Sequence, residues 1–498
     1  MVERLHCRLI SQAVLDISRG MRPTTPLLSK TPFAIDPRPF RGATSARAGL
    51  SAVSRVLRSV KVPGLVAANV DIKQRQRGYE AAQYVECLAL LHAAGGDCVE
   101  DLEQLKADSG LAKMLGYALP SARATLEFLE QFHDGARITQ ARAHAERQGL
   151  LAFIAEENEP LQGLQRVNAA MVRSLSRQLQ APDTATIDLD ATIIESHKQS
   201  AKPTYDGRRG YQPVVAVWAE MGLIVADEFR DGNVPAAMAP LGCTRAAFAA
   251  VPHGLRQYYF RGDSACHEHE LLNWLGDEQR ADGPQGRIGF AISARMTADL
   301  AQAVRQVREA AWKTIETEAD GTRRQWAELD FVPGARHEHK AARPLRYLAI
   351  RLLKAQGSLF ADGSDRQHFA MVTNRTEEGG FIVNWQRLKA GTIEHVHDEL
   401  KNGLGAGRLP SGKFGANAAW FRIACLTLNL VEAIRRTWAD DTLRTAKLKR
   451  VRFQLFTVTG RVIRDGRKIS LRLCASETWI KHFAALFDAF PLVTRATG

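Results

Sequence analysis

An α/β fold, with acidic residues at the ends of its strands, is predicted for this 498-residue chain by three observations. From about residue 183, β-branched apolar runs of strand length alternate with stretches of helical periodicity. Two of those runs carry carboxylates: Asp188 and Asp190 lie within Thr186-Ile187-Asp188-Leu189-Asp190-Ala191-Thr192, and Asp263 ends Tyr258-Tyr259-Phe260-Arg261-Gly262-Asp263. A third carboxylate, Glu394, opens the helical stretch Glu394-His395-Val396-His397-Asp398-Glu399-Leu400-Lys401-Asn402. An apolar strand rarely holds a carboxylate unless a cation or hydrogen bonds compensate for the lost water.

Taken in order, residues 1–182 read as mostly helical. A basic entry rich in proline (Pro23, Pro26, Pro32, Pro37, Pro39) precedes helical periodicity over 46–60 and a longer helix over 78–94. Gly95-Gly96 stops that helix, as a C-terminal glycine pair does. Short helices are predicted at 98–105, 111–115 and 122–132, and a longer one over 160–179. Tight connections of this kind suit a helix-turn-helix or a plain bundle equally. Strands follow at 184–194, 213–219 and 223–229, the last two joined by the turn Ala219-Glu220-Met221-Gly222. A helix over 236–251, the strand ending at Asp263, a helix over 270–274 and a strand at 288–293 complete the sequence order of a ribonuclease-H-like core. The pattern then changes. A helix over 298–311 and strands at 325–332, 345–353 and 368–373 form a β-rich insertion, after which helices are predicted over 381–402 and 416–438. The tail holds strands at 451–458 and 469–474 and a short helix over 479–487. The resulting division is 1–182, a helical N-terminal DNA-binding domain; 183–295 and 381–438, the two parts of the core; 296–380, the insertion; and 439–498, a small basic C-terminal region.

Charge narrows the partner. Lys plus Arg number 67 against 54 acidic residues, a formal +13, which favours a polyanion and nucleic acid before membrane. Between Arg444 and Arg472 there are ten basic residues and one acid, Asp465. No apolar run approaches the ~18–20 residues that span a bilayer. The first residues lack the layout of a signal peptide. Seven scattered cysteines with no Cys-x-x-Cys pair suit a reducing cytoplasm.

The carboxylates point to metal chemistry. Asp188 and Asp190 are two apart and share one strand face, and either could be a ligand. Asp263 sits at a strand's C-terminal end, where open α/β sheets place functional groups. Glu394 and Lys401, seven apart, share a helix face. Hard oxygen donors without a Cys/His cluster favour Mg²⁺ or Mn²⁺ over zinc. Two aromatics interleaved with Arg208 and Arg209 in the stretch Tyr205–Tyr211 suit a grip on nucleic acid. Gly407-x4-Gly412-Lys413 satisfies only part of a phosphate-loop pattern, because Phe414 stands where Ser or Thr is required.

These stretches, with Asp188-Leu189-Asp190-Ala191-Thr192, Tyr205–Pro213, Arg261-Gly262-Asp263-Ser264, Glu394-x6-Lys401, Arg77-Gly78-Tyr79 and Gly95–Glu103, resemble a bacterial insertion-sequence transposase of the DDE superfamily. The likeness is to the group with a β-strand insertion between the second Asp and the Glu. It implies Asp190, Asp263 and Glu394 as the catalytic, metal-holding triad, with Asp188 the fallback for the first position. It implies terminal inverted repeats and target DNA as partners, a homodimer on DNA, and strand cleavage followed by joining. The family pattern Y-x2-R-x3-E-x6-K places Arg387 and Ala390 at its Tyr and Arg positions. Arg387, two turns before Glu394, is therefore expected to bracket that residue together with Lys401, with Lys389 the poorer substitute. Arg387, Lys401, Arg208, Arg209, Lys447, Lys449 and Arg450 are the expected DNA contacts. The other readings are a structure-selective nuclease or resolvase on the same fold and a catalytically weakened DNA-binding derivative.

Overall fold

The computed structural model describes residues 42–72, 78–333, 345–466 and 468–492. The proline-rich entry, Arg77 and Arg467 lie outside the described residues. Helices occupy most of 48–178. Among them α1 (Ala81–Ala94) starts at a capping box between Glu80 and Gln83 and ends at Gly95, whose φ of 93° suits glycine. The helix α2 (Glu159–Gln178) starts at Asn158, whose side chain accepts from the Leu161 N–H.

The centre of the fold is a nine-stranded sheet. Its strands are β1 (Thr184–Ala191), β2 (Val214–Trp218), β3 (Leu223–Glu228), β4 (Gln257–Gly262), β5 (Ile288–Ser293), β6 (Lys313–Thr317), β7 (Arg323–Leu329), β8 (Arg346–Leu353) and β9 (Arg366–Thr373). Their order across the sheet is β6-β7-β8-β9-β5-β4-β1-β2-β3. The pairs β1–β4 and β4–β5 are parallel and the others antiparallel. The strands of 296–380 therefore extend the same sheet, because β9 pairs with β5 in the register Met371↔Ser293. Strand β6 had no counterpart in the sequence reading; its Lys313-Thr314-Ile315-Glu316-Thr317 is short, polar and mostly exposed.

Alternation along the strands sorts residues between two cores. Ile187, Leu189, Phe260, Phe290, Ile292, Ala349 and Val372 face the larger one, with α2, α3 (Pro240–Ala250) and α5 (Phe414–Thr437). On the other face Ala291, Leu348, Ile350 and Met371 pack under α4 (Gly379–Asp398) with Trp326, Ile382 and Val383. Successive strand residues point to opposite faces, so Asp188, Asp190 and Arg261 point to the α4 side. Helix α5 is long and apolar enough to cross a membrane by composition, yet 94% of its most apolar window is buried inside the protein. It is the helix against which both the sheet and the N-terminal helices pack.

One segment departs from the sequence expectation. Residues 451–458 alternate as a strand would, but the chain coils there as Leu448–Val451 and Arg452–Phe456, with i→i+5 hydrogen bonding in the second piece. Leu448, Val451, Leu455 and Phe456 are buried while Phe453 is 80% exposed, a helical rather than a two-residue repeat. The basic hairpin of the tail is instead β10 (Gly460–Asp465) with β11 (Lys468–Leu473).

Arg422 ties three elements together in the large core. Its guanidinium donates to both Asp227 oxygens at 3.0 and 3.1 Å, to Glu157 at 2.7 and 2.9 Å and to the Leu161 carbonyl at 2.7 Å. Removing this cation strands the buried Asp227 carboxylate and deprives the partly exposed Glu157 of its partner, which typically costs about 3–5 kcal/mol. Arg422→Met is accordingly expected to lose that much stability in a urea titration; a loss below about 1 kcal/mol, the range of surface pairs, would show that the triad is not a structural tie.

Candidate active site

The site forms at the C-terminal edge of β1 and β4. Parallel pairing aligns Asp188 with Arg261 and Leu189 with Gly262, so the next residue on each strand, Asp190 and Asp263, emerges at the same edge. Gly262 is required beside Asp263: a Cβ there would lie 2.5 Å from Cys266 Cβ and 2.7 Å from its Sγ. Cys266 is buried in the turn Ser264–Cys266, where burial pushes its thiol well up, so it is a packing residue.

Asp188 is fully buried and committed. Arg261 donates to its two carboxylate oxygens at 2.6 and 2.7 Å, and also to the Trp385 carbonyl of α4 at 2.9 Å. Burial raises the Asp188 carboxyl above its ordinary value, opposed by Arg261. Both of its oxygens are engaged by Arg261, whereas Asp190, the other aspartate on β1, has a side chain 23% exposed.

Asp263 is largely buried. One of its oxygens accepts from the Ala265 N–H at 3.1 Å, capping the turn after the strand. Its carboxyl is raised by burial, lowered by Lys389 and raised again by the charge of Asp190. Asp190 and Asp263 offer carboxylate oxygens, the hard donors that a divalent cation such as Mg²⁺ prefers.

Helix α4 delivers the remaining groups. Gln386 donates to the Gly262 carbonyl at 3.1 Å and to Ser293 Oγ at 3.2 Å, which fixes the helix across the ends of β4 and β5. Its buried stripe runs Ile382, Lys389, Ile393, Val396 and His397, and two polar residues on that stripe reach the carboxylates. Lys389 Nζ is 3.5 Å from Asp190 Oδ2, and His397 Nε2 is 3.8 Å from the same oxygen. Both ring nitrogens of His397 are buried without a hydrogen-bond partner among the described residues. Burial, together with the ammonium groups of Lys401 and Lys389, pushes its imidazole down to about 3. Glu394 is exposed and shares with Asp190 the lining of a cavity of about 550 Å³, along with Arg387, Lys389 and Ala390. Among the described residues only Asp97, Cys98 and Asp101 bring three ligand-type atoms within 4.8 Å of one another. Those are engaged elsewhere: Arg408 pairs with Asp97 at 2.9 Å, and Asp101 accepts from the Asp97 N–H.

The cations are placed differently from the sequence expectation. Arg387 lines the cavity, but its guanidinium pairs with Glu316 on β6 and approaches Asn384, so it is committed to the inserted strands rather than to Glu394. Lys389, the poorer substitute by helical phasing from Glu394, is the lysine whose ammonium lies 3.5 Å from Asp190. The stripe of α4 that faces the sheet sets which of its residues meet Asp190. That stripe was readable from the spacing Ile382, Lys389, Ile393, Val396, and His397 falls on it too. Lys401 lies in a wider turn, Glu399–Gly403, where Glu399 is buried against Arg435 at 2.6 Å and the Leu448 N–H at 3.0 Å. Burial lowers the Lys401 ammonium, and the charge of Arg208 lowers it further. Arg208 itself pairs with Asp206, while Arg209 donates to the Ala201 carbonyl at 2.6 Å. Lys447 pairs with Asp398 at 3.0 Å, and Lys449 and Arg450 are exposed. His267 and His269 are hydrogen-bonded to Tyr347 and Asn273 and take no part.

Among solved structures, the chain is similar to a piggyBac transposase in a cryo-EM structure of its synaptic complex with hairpin DNA. The identity is 9% and the TM-score 0.41, over 82% of this chain and 79% of that one. No protein of curated function matches the chain. At the level of families, residues 40–494 match the one described as Transposase DDE domain group 1. That match spans nearly the whole sequence, and the chain belongs to this transposase family.

Proposed function

We propose that the chain cuts and joins DNA strands at the site of Asp190, Asp263 and Glu394, on a ribonuclease-H-like core formed by β1–β5 and α4. The observation that carries this reading is the register of β1 and β4, which puts Asp190 and Asp263 side by side under a helix bearing Lys389 and Glu394. In this reading terminal inverted repeats and target DNA are the substrates, the active species is a homodimer on DNA in a bacterial cytoplasm, and residues 1–182 and 439–498 supply most of the DNA affinity. Asp190, Asp263 and Glu394 would hold Mg²⁺ or Mn²⁺, which when bound activates the attacking oxygen and stabilises the leaving one in phosphoryl transfer. The chain's own groups do the rest. Lys389 opposes the effect of burial on the Asp263 carboxyl and presents an ammonium where a phosphate oxygen gains charge. Lys401 and Arg208 form a cationic rim that steadies the strand entering the cavity.

Asp263→Asn is a clean test, because an amide oxygen still caps the Ala265 N–H. Cleavage of an inverted-repeat end should fall to background while a gel-shift assay shows DNA binding unchanged; persistent cleavage would remove Asp263 from the chemistry.

The two cations of α4 should separate in kinetics. Lys389→Ala is expected to lower the cleavage rate about 10²–10³-fold, the usual effect of deleting a group aimed at developing charge. Arg387→Ala breaks a half-exposed pair with Glu316 and should cost no more than about 1 kcal/mol of stability, with little change in rate. The reverse ranking would return the phosphate contact to Arg387.

Neutralising Lys447, Lys449 and Arg450 together should flatten the slope of log affinity against log salt by about two units, at roughly 0.9 per phosphate contact. The expected value is two rather than three because Asp398 already pairs with Lys447. An unchanged slope would mean that the phosphate contacts lie elsewhere.

A further inference from the structure

We infer that His397 is a metal ligand of this site, so that the cation is held by a mixed carboxylate and imidazole set. The inference rests on the proposed metal-dependent reading of Asp190 and deepens it. Three observations lead to it. His397 is 7% exposed, and neither ring nitrogen has a hydrogen-bond partner among the described residues. A buried imidazole normally hydrogen-bonds through at least one nitrogen, and an orphaned one facing a carboxylate has the arrangement of a ligand awaiting its cation. Its Nε2 lies 3.8 Å from Asp190 Oδ2, a gap across which one cation can touch both atoms with modest side-chain adjustment. Finally, Glu394 and His397 are three apart on α4, the Glu-x-x-His spacing by which one helix offers two ligands to a single metal centre.

The surroundings favour this role over a plain core histidine. His397 sits on the inward stripe between Ile393, Val396 and Leu400, all buried, so its ring is held by packing and cannot swing out to water. The groups that face it are Asp190 from β1 and, from its own helix and the turn beyond, Lys389 and Lys401. A carboxylate and two ammonium groups leave the ring nitrogens nothing to accept from except a lysine already turned to Asp190. Imidazole is a softer donor than carboxylate, so a site that includes it should discriminate between Mn²⁺ and Mg²⁺ in favour of Mn²⁺ more than an all-oxygen site does.

The test uses the full chain with Mn²⁺ as the probe. Electron spin-echo envelope modulation of bound Mn²⁺ should show coupling to a directly ligated ¹⁴N that changes on uniform ¹⁵N-histidine labelling and vanishes in His397→Asn. By calorimetry the same variant should bind Mn²⁺ at least about tenfold more weakly, with Mg²⁺ affected less. Wild-type protein that binds Mn²⁺ without nitrogen coupling overturns the inference, even if His397→Asn fails to fold. Coupling and affinity that persist in a folded His397→Asn overturn it as well. Asp190→Asn tells the two levels apart: if it abolishes Mn²⁺ binding while no nitrogen coupling is seen, only the role of His397 falls. If Mn²⁺ binds equally without Asp190, the metal site itself has been misplaced.

Discussion

Arg261 is the residue on which the geometry of the site depends. Its guanidinium clamps Asp188 on the neighbouring parallel strand and reaches the Trp385 carbonyl on α4, with the indole of Trp385 5.3 Å from the cation. One side chain therefore fixes β1, β4 and α4 against each other, and Asp190, Asp263 and Lys389 each follow within a few residues of those anchor points. A buried pair of this kind adds little net stability over apolar packing, since desolvation consumes most of the attraction. Its value is positional. A slip of one residue between β1 and β4 would turn one aspartate to the opposite face, and it would also strand the Asp188 charge without its partner.

The inserted strands take part in the same positioning. Because β9 pairs with β5 and β6–β8 follow, the sheet extends under the N-terminal half of α4, where Trp326, Leu348 and Ile350 bury Ile382 and Val383. Gly379 begins the helix against the Trp326 ring, with a hypothetical Cβ only 2.3 Å from it, so the helix start is seated on the insertion directly. The pairing of Arg387 with Glu316 adds a polar tie on the same side. From the other end, Glu399 holds the helix through Arg435 and the Leu448 backbone. The helix that carries Lys389, Glu394 and His397 is thus fixed at both ends by segments distant in sequence.

Much of this was legible in the sequence, and the failures have physical reasons. The strands β1–β3 stood out as apolar runs rich in β-branched residues, β4 and β5 as short apolar runs between helices, and the family resemblance pointed to Asp190, Asp263 and Glu394. The sequence could not separate Asp188 from Asp190, since the two share a face; what separates them is the cross-strand neighbour, and only the register shows that Arg261 lies opposite Asp188. Residues 451–458 misled because Val451, Phe453 and Leu455 alternate, whereas burial selects Leu448, Val451 and Leu455. His397 carries no signal of its own in the sequence, because the carboxylate it meets, Asp190, lies on a strand far away along the chain. Lys389 meets Asp190 because it falls on the apolar stripe of α4, a relation that its angle from Glu394 does not express.

The positive charge of the chain can be divided by what surrounds it, and the division assigns different work to each part. Lys389 is 9% exposed and faces two carboxylates, so its field is little screened and acts on the groups beside it. Lys401 is half-buried and feels the charge of Arg208. Lys449 and Arg450 are exposed, and at physiological salt their influence fades beyond about 8 Å. Exposed cations of that kind contribute to association and to salt dependence, while a desolvated one contributes to the step in which charge moves. Net charge therefore points to a class of partner without pointing to a site. The candidate site is distinguished instead by the charged groups that the register of β1 and β4 brings under α4: Asp188 clamped by Arg261, Asp190 facing Lys389 and the buried His397, and Asp263 beside them.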